Sequence, residues 1–129
     1  MITTTNRVRL PATREGITHR FVIKTTDSEV TGFIIANTYE NGNLAEVFCR
    51  IDREGSTIGG MMDAVTILIS LALQHGVPLK CICDKLSYMR FDPSGLVTAG
   101  DPEIHQAQSL TDYLSRWLAK QFLLPEDQP

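Results

Sequence analysis

The uncharged stretch from Ala64 to Leu79 constrains the fold most strongly. With the residues just before it, it carries apolar side chains at helical spacing, and these leave almost no polar side on the predicted helix. Thr66 and Ser70 interrupt it, and it is shorter than the roughly 18 apolar residues of a membrane span. We therefore expect a helix of a globular domain. Its faces are covered either by the rest of the domain or by a second subunit.

Capping residues predict where this helix and two further helices begin and end. Ser56, directly after Gly55, is a typical N-cap. Gly76 suits the left-handed position after a helix, and Pro78 suits the first turn of a second helix that reaches about Met89. The run Asp101-Pro102-Glu103 resembles the start of a third helix, with Asp101 as its cap. The apolar face of that helix comprises Ile104, Ala107, Leu110, Leu114, Trp117, Leu118 and Phe122.

The first half of the chain predicts three strands. They cover Thr18 to Thr25, Val30 to Tyr39 and Leu44 to Ile51, and short turn segments separate them. The pair Asn41-Gly42 favours a type I′ hairpin turn. The predicted fold class is therefore α+β, an N-terminal three-stranded antiparallel meander followed by three helices packed on one face.

Length, charge and cysteine content narrow the functional classes. A chain of 129 residues has room for one domain over 1–129, and we expect 1–12 and 125–129 to be flexible. The net charge of −3 predicts no nucleic-acid polymer or membrane as partner. Three cysteines and a polar N-terminus predict a reducing, cytoplasmic location. The pair Cys81 and Cys83 lacks zinc-site spacing and predicts buried thiols, so we expect no metal and no cofactor.

The segment that joins the third strand to the first helix is a candidate phosphate site. Glycines remove side-chain bulk there, and the free N–H groups and dipole of a helix N-terminus favour an anion. Arginines at either side would add charge-assisted contacts. The alternative is an ordinary capped helix with closely packed glycines. The residues of this candidate site are Arg50, Arg53, Gly55, Ser56, Thr57 and Gly59.

A second candidate group follows the second helix. Tyr88 and Phe91 flank Arg90, so they would contact a base or ribose while the arginine pairs with a phosphate. Arg116 would reach this ligand from the last helix. The alternative is that Tyr88 and Phe91 are core residues and that Arg90 pairs with an aspartate, Asp84 or Asp92. No nucleophile–base pair or paired carboxylates stand out, so we expect no enzymatic activity.

Motifs along nearly the whole chain resemble the TSCPD domain, which is found near the C-terminus of adenosylcobalamin-dependent ribonucleotide reductases. The motifs are Leu10-Pro11-x-x-Arg14-x-Gly16-x-Thr18-His19, Gly32 to Asn37-x-Tyr39-Glu40-x-Gly42, Glu54-Gly55-Ser56-Thr57, Met62-Asp63, residues 70–79, Lys85-Leu86, residues 90–95 and Asp112-Tyr113-Leu114-x-Arg116-Trp117-Leu118. The catalytic barrel, the cobalamin-binding part and the Cys-x-x-Cys tail of such reductases have no counterpart here. The resemblance therefore implies a nucleotide-associated module and does not imply reductase activity.

Two functions of different classes are expected. The first is a non-catalytic, stand-alone nucleotide-binding protein, a homo-oligomer with its ligand between subunits. In its sharpest form this is a phage sponge protein that sequesters cyclic nucleotide or cyclic ADP-ribose-type signals of a bacterial host's defence. That form rests on the length of the chain, the missing catalytic residues and the candidate anion site. The second is an accessory or regulatory module that acts in trans on an adenosylcobalamin-dependent ribonucleotide reductase. A nucleotide-hydrolysing enzyme is a weaker third hypothesis.

Overall fold

The computed structural model describes residues 6–53 and 55–129. Glu54 of the Glu54-Gly55-Ser56-Thr57 motif and residues 1–5 of the predicted flexible N-terminus lie outside them. The α+β fold class is confirmed. The described elements are β1 (Glu15–Lys24), β2 (Glu29–Thr38), β3 (Leu44–Ile51), α1 (Thr57–Gln74), α2 (Leu79–Leu86), β4 (Gly95–Ala99), β5 (Gln106–Ala107), α3 (Leu110–Phe122) and a 3₁₀ turn at Pro125–Asp127.

The predicted meander is confirmed, and its register separates a core face from an outer face. β1 pairs antiparallel with β2, and β2 with β3. On the core face Phe21 lies opposite Gly32, and Ile34 lies opposite Cys49. These residues are fully or almost fully buried and form one hydrophobic core with α1 and α3. Alternation along each strand places the intervening side chains on the outer face.

α1 covers the free edge of β3, which explains the polar residues in an otherwise apolar helix. The Ser70 hydroxyl accepts a hydrogen bond from Val47 N–H (3.0 Å) and donates one to the Val47 carbonyl (3.1 Å). Gln74 Nε2 donates to the Ala45 carbonyl (3.1 Å). Unpaired backbone groups of an edge strand would otherwise be buried without partners. The helix therefore completes the hydrogen bonding of the sheet as well as its core.

The prediction that the third helix begins at Asp101 is wrong. α3 begins at Leu110, where the Ser109 hydroxyl caps it by accepting from Asp112 N–H (3.0 Å). The Asp101 carboxylate instead accepts from Glu103 N–H (2.8 Å) within a loop and pairs with Lys120 (2.7 Å). Two strands that the sequence did not predict, β4 and β5, flank this loop and extend the sheet to the order β3-β2-β1-β4-β5.

Four smaller expectations also need correction. Positive φ occurs at Gly42 and not at Asn41, so the β2–β3 turn is not type I′; Tyr39 N–H instead closes it by donating to the Asn43 carbonyl (2.9 Å). Pro78 is the N-cap of α2, which ends at Leu86 before the predicted Met89. Cys83 is buried as predicted, but Cys81 is exposed.

One side of α1 remains uncovered within the described residues. Met61, Ile67 and Leu68 are 56%, 53% and 66% exposed. Within the described ranges, α1 is the one helix long and apolar enough to cross a membrane. Core helices share that property, and the opposite side of α1 packs on the sheet through Met62 and Ile69. The cytoplasmic location stays a prediction.

Candidate functional site

The junction between β3 and α1 brings the predicted phosphate-site residues together. Ser56 caps α1 as predicted, because its hydroxyl accepts from Gly59 N–H (3.1 Å). A Cβ at Gly59 would lie 2.9 Å from the Arg53 carbonyl oxygen, so the tight cap depends on glycine here. Beside it is a cleft of about 520 Å³. The cleft is lined by Arg50, Ile51, Arg53, Gly55, Ser56, Gly59, Gly60 and Asp63.

The charges in this junction are mixed. The Arg53 guanidinium donates to the Ser28 hydroxyl (3.1 Å) and lies 3.5 Å from the Glu29 carbonyl. Asp63 lines the same cleft and opposes an anion there. Thr57 is exposed in the first turn of the helix. The arrangement can attract an anion through two arginines and a helix N-terminus, and one carboxylate weakens that attraction.

The second predicted group surrounds Tyr88, which is 57% exposed and adopts a positive φ of 67°. Its N–H donates to Asp112 Oδ1 (2.6 Å). The Arg116 guanidinium lies 5.0 Å from the centre of the Tyr88 ring and forms an ion pair with the buried Asp112 (2.9 Å). Arg116 also donates to the Gln106 carbonyl. The guanidinium of Arg116 is therefore already occupied by contacts within the protein, and a ligand would have to compete with them.

Arg90 and Phe91 continue from this group along the chain. Arg90 is exposed and lines a cleft of about 250 Å³ with Ser94, Gly95 and Gln106. Phe91 is half-buried, and its N–H donates to the Gln108 carbonyl (3.2 Å). Because Tyr88 is exposed, the alternative in which it is a core residue is wrong. Arg90 has no ion pair with Asp84 or Asp92, and Asp84 pairs with Lys80 instead (2.8 Å).

The two groups of candidate residues lie at opposite edges of the sheet. The junction follows β3, which is one edge strand, whereas Arg116 contacts Gln106 of β5 at the other edge. Four strand spacings separate these edges, which is about 19 Å. One small ligand therefore does not contact both groups within one subunit. The ligand-binding roles of these residues stay predictions.

A polar cluster that the sequence reasoning missed lies between β1 and α3. His19 Nε2 is 2.8 Å from the Tyr113 hydroxyl, and the imidazole stacks on the Trp117 ring with centroids 4.7 Å apart. The Tyr113 hydroxyl accepts from Asp101 N–H (3.0 Å). Burial lowers the pKa of His19, although the nearby Asp101 carboxylate opposes this shift. The signal available in the sequence was alternation, because His19 shares a strand face with Phe21 and Ile23.

The chemistry available to the thiols is limited. Burial, with a contribution from Asp63, raises the pKa of Cys49 to about 12, and burial together with Asp84 does the same for Cys83. Both are therefore protonated at neutral pH and are poor nucleophiles and metal ligands. Over residues 6–53 and 55–129, no three His, Cys, Asp or Glu side chains come together as a metal site.

The uncovered side of α1 carries several exposed apolar side chains. We call it the α1 face and define it by Met61, Ala64, Ile67, Leu68 and Leu71. It continues into a shallow groove of about 380 Å³ between α1 and α2. The groove is lined by Leu68, Ile69, Ala72, Val77, Cys81, Ile82, Lys85 and Leu86. Contiguous exposed apolar surface of this kind marks interaction sites on soluble proteins.

Comparison with known proteins places the chain in a family. The family model of the TSCPD domain matches residues 5–122. A vitamin B12-dependent ribonucleotide reductase of Streptantibioticus cattleyicolor is 44% identical over 117 residues, 91% of this chain and 18% of that protein. The reductase of Streptomyces coelicolor is 44% identical over 91% of this chain and 12% of that protein. The reductase of Rhodopirellula baltica is 40% identical over 94% of this chain and 11% of that protein. The chain thus spans less than a fifth of these relatives. No solved structure matches it significantly. The chain belongs to the TSCPD domain family.

Proposed function

We propose that this chain is an accessory module of a vitamin B12-dependent ribonucleotide reductase, on which it docks in trans through the α1 face. The observation that carries the proposal is the exposure of that face. Met61, Ile67 and Leu68 are each more than half exposed on a helix whose other side belongs to the core. Burying such a side chain completely contributes about 1.5–3 kcal/mol, so a partner surface gains several kcal/mol by covering the three.

The composition of the α1 face resembles the centre of a protein interface. Its middle is apolar, and charged side chains lie at its border, with Asp63 in the second turn of α1 and Lys85 across the groove on α2. Interfaces commonly combine an apolar centre with a polar rim. A nucleotide would leave most of this surface uncovered, whereas a protein surface would cover it.

The relatives supply the partner class. In each of them, the part similar to this chain is a small share of a protein named as a vitamin B12-dependent ribonucleotide reductase. A covalently linked domain needs little affinity for its neighbours, because the linkage keeps its local concentration high. A module acting in trans lacks that advantage and needs a surface with affinity of its own, which the α1 face offers.

The test uses the Streptomyces coelicolor reductase with its own TSCPD region deleted. We expect the chain to co-elute with the deleted enzyme in size-exclusion chromatography. We expect no co-elution with the full-length enzyme, because the enzyme's own domain occupies the docking surface. A chain that elutes alone with both enzymes, or that binds both equally, contradicts the proposal.

A second candidate function is nucleotide binding at the β3–α1 junction. The observation that favours it is the cleft of about 520 Å³ where Arg50, Arg53 and the α1 N-terminus meet. In this case a second copy of the chain would cover the α1 face. The homo-oligomer would then act as a non-catalytic sponge for cyclic nucleotide or cyclic ADP-ribose-type signals.

A thermal-shift screen tests this second candidate against nucleotides, cyclic oligonucleotides and cyclic ADP-ribose isomers. A ligand at 100 times its dissociation constant stabilises the fold by about 2.7 kcal/mol. For a domain of this size, the expected rise in melting temperature is on the order of 5–10 °C. Arg53→Gln should reduce the shift, whereas Arg9→Gln removes an exposed charge elsewhere and should not. No shift with any group, or equal effects of both variants, contradicts junction binding.

A further inference from the structure

The outer face of the sheet carries a row of one aromatic and two basic side chains. Phe33 on β2 is the register partner of Arg20 on β1 and of Arg50 on β3. Register partners point to the same side of a sheet, and their Cβ atoms lie about 5 Å apart. Because α1 and α3 share the core on the other side, this row is open; Phe33 is 42% exposed, and both arginines are exposed.

The two arginines of the row lack partners within the described chain. Neither Arg20 nor Arg50 forms an ion pair or a side-chain hydrogen bond with any residue in 6–53 or 55–129. By contrast, Arg14 on the same side of the molecule is paired with Glu46 (2.6 Å). Two like charges beside one ring, without a carboxylate partner, favour an anion that contacts both.

The surroundings of the row match a flat ligand. A cleft of about 470 Å³ beside Phe33 is lined by Thr31, by Arg50 and by Asp52, whose carboxylate opposes an anion at that end of the row. The neighbouring pair Ile35 and Phe48 is half-buried and extends the apolar floor on the same face. The row spans two strand spacings, which is about 10 Å and enough for one base with its phosphates.

We propose that this row binds a free nucleoside phosphate, with the base stacked on Phe33 and the phosphates contacted by the long side chains of Arg20 and Arg50, which flank the ring. Guanidinium groups pair with phosphate through fixed forked geometry, and aromatic rings stack on any base. The chain's net charge of −3 and the width of a single base favour the free nucleotide over a polymer. The proposal does not depend on docking to a reductase, which uses the α1 face.

Isothermal titration calorimetry with ATP, GTP, CTP and UTP, each titrated separately, tests the proposal. We expect at least one of them to bind. Phe33→Leu should weaken that binding about tenfold through lost stacking, whereas Phe33→Tyr should retain it. Arg20→Gln and Arg50→Gln should each weaken binding about tenfold through lost charge-assisted hydrogen bonds. Arg9→Gln is the matched control, an exposed arginine outside the row, and should have no effect. Circular dichroism melts verify that every variant is folded.

Four kinds of result overturn the proposal. The first is no binding of any of the four nucleotides to the wild-type chain. The second is unchanged binding in Phe33→Leu, or equal competition by inorganic tripolyphosphate, because either excludes a role for the base. The third is binding that is lost in Arg53→Gln and kept in Arg20→Gln, which would place the nucleotide at the β3–α1 junction. The fourth is tighter binding of a ten-residue thymidine oligonucleotide, which would make a nucleic-acid strand the ligand.

Discussion

At Gly32, a hydrogen atom occupies the space between β2 and the ring of Phe21. A Cβ built at this position would lie 2.4 Å from Phe21 Cζ and 2.6 Å from Cε1. The ring is fully buried and stacks on Tyr113 with centroids 4.5 Å apart, so it has little room to move. The glycine is therefore a packing requirement of the core.

We expect Gly32→Ala to lower the free energy of unfolding by about 1–3 kcal/mol, because overpacking strains a close-packed core. Gly60→Ala is the matched control, since nothing lies within 4 Å of its added Cβ and it is part of a helix. That substitution should stabilise the fold by about 0.5–1 kcal/mol. Urea denaturation of both variants measures the difference. Equal stability of the two variants would contradict the packing described at Gly32.

His19 makes the stability of the fold depend on pH. Its pKa is lowered in the folded state because burial disfavours the charged imidazole. Between this lowered pKa and the unfolded value of about 6.5, the unfolded chain binds more protons, so stability falls as the pH falls. The pKa of Asp101 is also lowered, because its hydrogen bond with Lys120 and other attractive contacts outweigh the effect of burial. This shift affects the stability of the fold only near and below the ordinary pKa of 3.8.

We expect the urea midpoint to decrease from about pH 7.5 to about pH 5.5, and His19→Gln to remove part of this decrease. His105→Gln is the control, because His105 is exposed in the loop before β5. A pH dependence that is the same in His19→Gln and in the wild type would show that the imidazole is not the responsible group.

At the scale of elements, α1 is both a core helix and the cover of an edge strand. Its Ser70 hydroxyl satisfies two backbone groups of Val47, and all of these atoms are buried. The Thr66 hydroxyl, one turn earlier, donates only within its own helix, to the Met62 and Asp63 carbonyls (2.9 and 3.2 Å). The two hydroxyls therefore differ in what their removal would leave unpaired.

We expect Ser70→Ala to destabilise the fold by about 2–3 kcal/mol, because it leaves the Val47 N–H and carbonyl buried without partners. Thr66→Val should cost less than about 1 kcal/mol, since the carbonyls that it bonded keep their helical partners. Chemical denaturation compares the two. A Ser70→Ala variant as stable as Thr66→Val would contradict the proposed role of α1 at the sheet edge.

Local signals in the sequence predicted the elements whose ends are built from neighbouring residues. Ser56 caps the start of α1 and Gly76 follows its end, as expected, because a cap depends on a few adjacent residues. The start of α3 was misplaced because Asp101-Pro102-Glu103 has the composition of a helix start. In the structure the Asp101 carboxylate instead accepts a hydrogen bond from Lys120 of α3, which is distant in the sequence. β5 was missed because two residues are too short for a pattern.

The candidate sites also differ in whether their residues are neighbours in the sequence. The β3–α1 junction is contiguous in the chain, so its residue set could be predicted from the sequence. The row of Arg20, Phe33 and Arg50 depends on the register of three strands, which no short motif specifies. The separation of Tyr88 and Arg116 from the junction depends on strand order, and only the complete sheet shows it.

At the scale of the molecule, the fold presents three surfaces that face different ways. The α1 face is apolar, the outer sheet face carries the row of Arg20, Phe33 and Arg50, and the Arg116–Tyr88 group lies beside β5. One ligand cannot occupy all three. A module that docks through α1 would leave the outer sheet face accessible.

The most direct test of reductase docking is sedimentation velocity of the chain with the Streptomyces coelicolor reductase that lacks its own TSCPD region. It compares Leu68→Glu on the α1 face with Leu96→Glu on β4, where the native leucine is 53% exposed and away from α1. We predict a complex for the wild type and for Leu96→Glu, and at least tenfold weaker association for Leu68→Glu, because a buried charge opposes docking. One opposing result is a complex that is equally strong with Leu68→Glu. The other is a wild-type chain that self-associates through α1 and does not bind the reductase. Either would contradict docking through the α1 face.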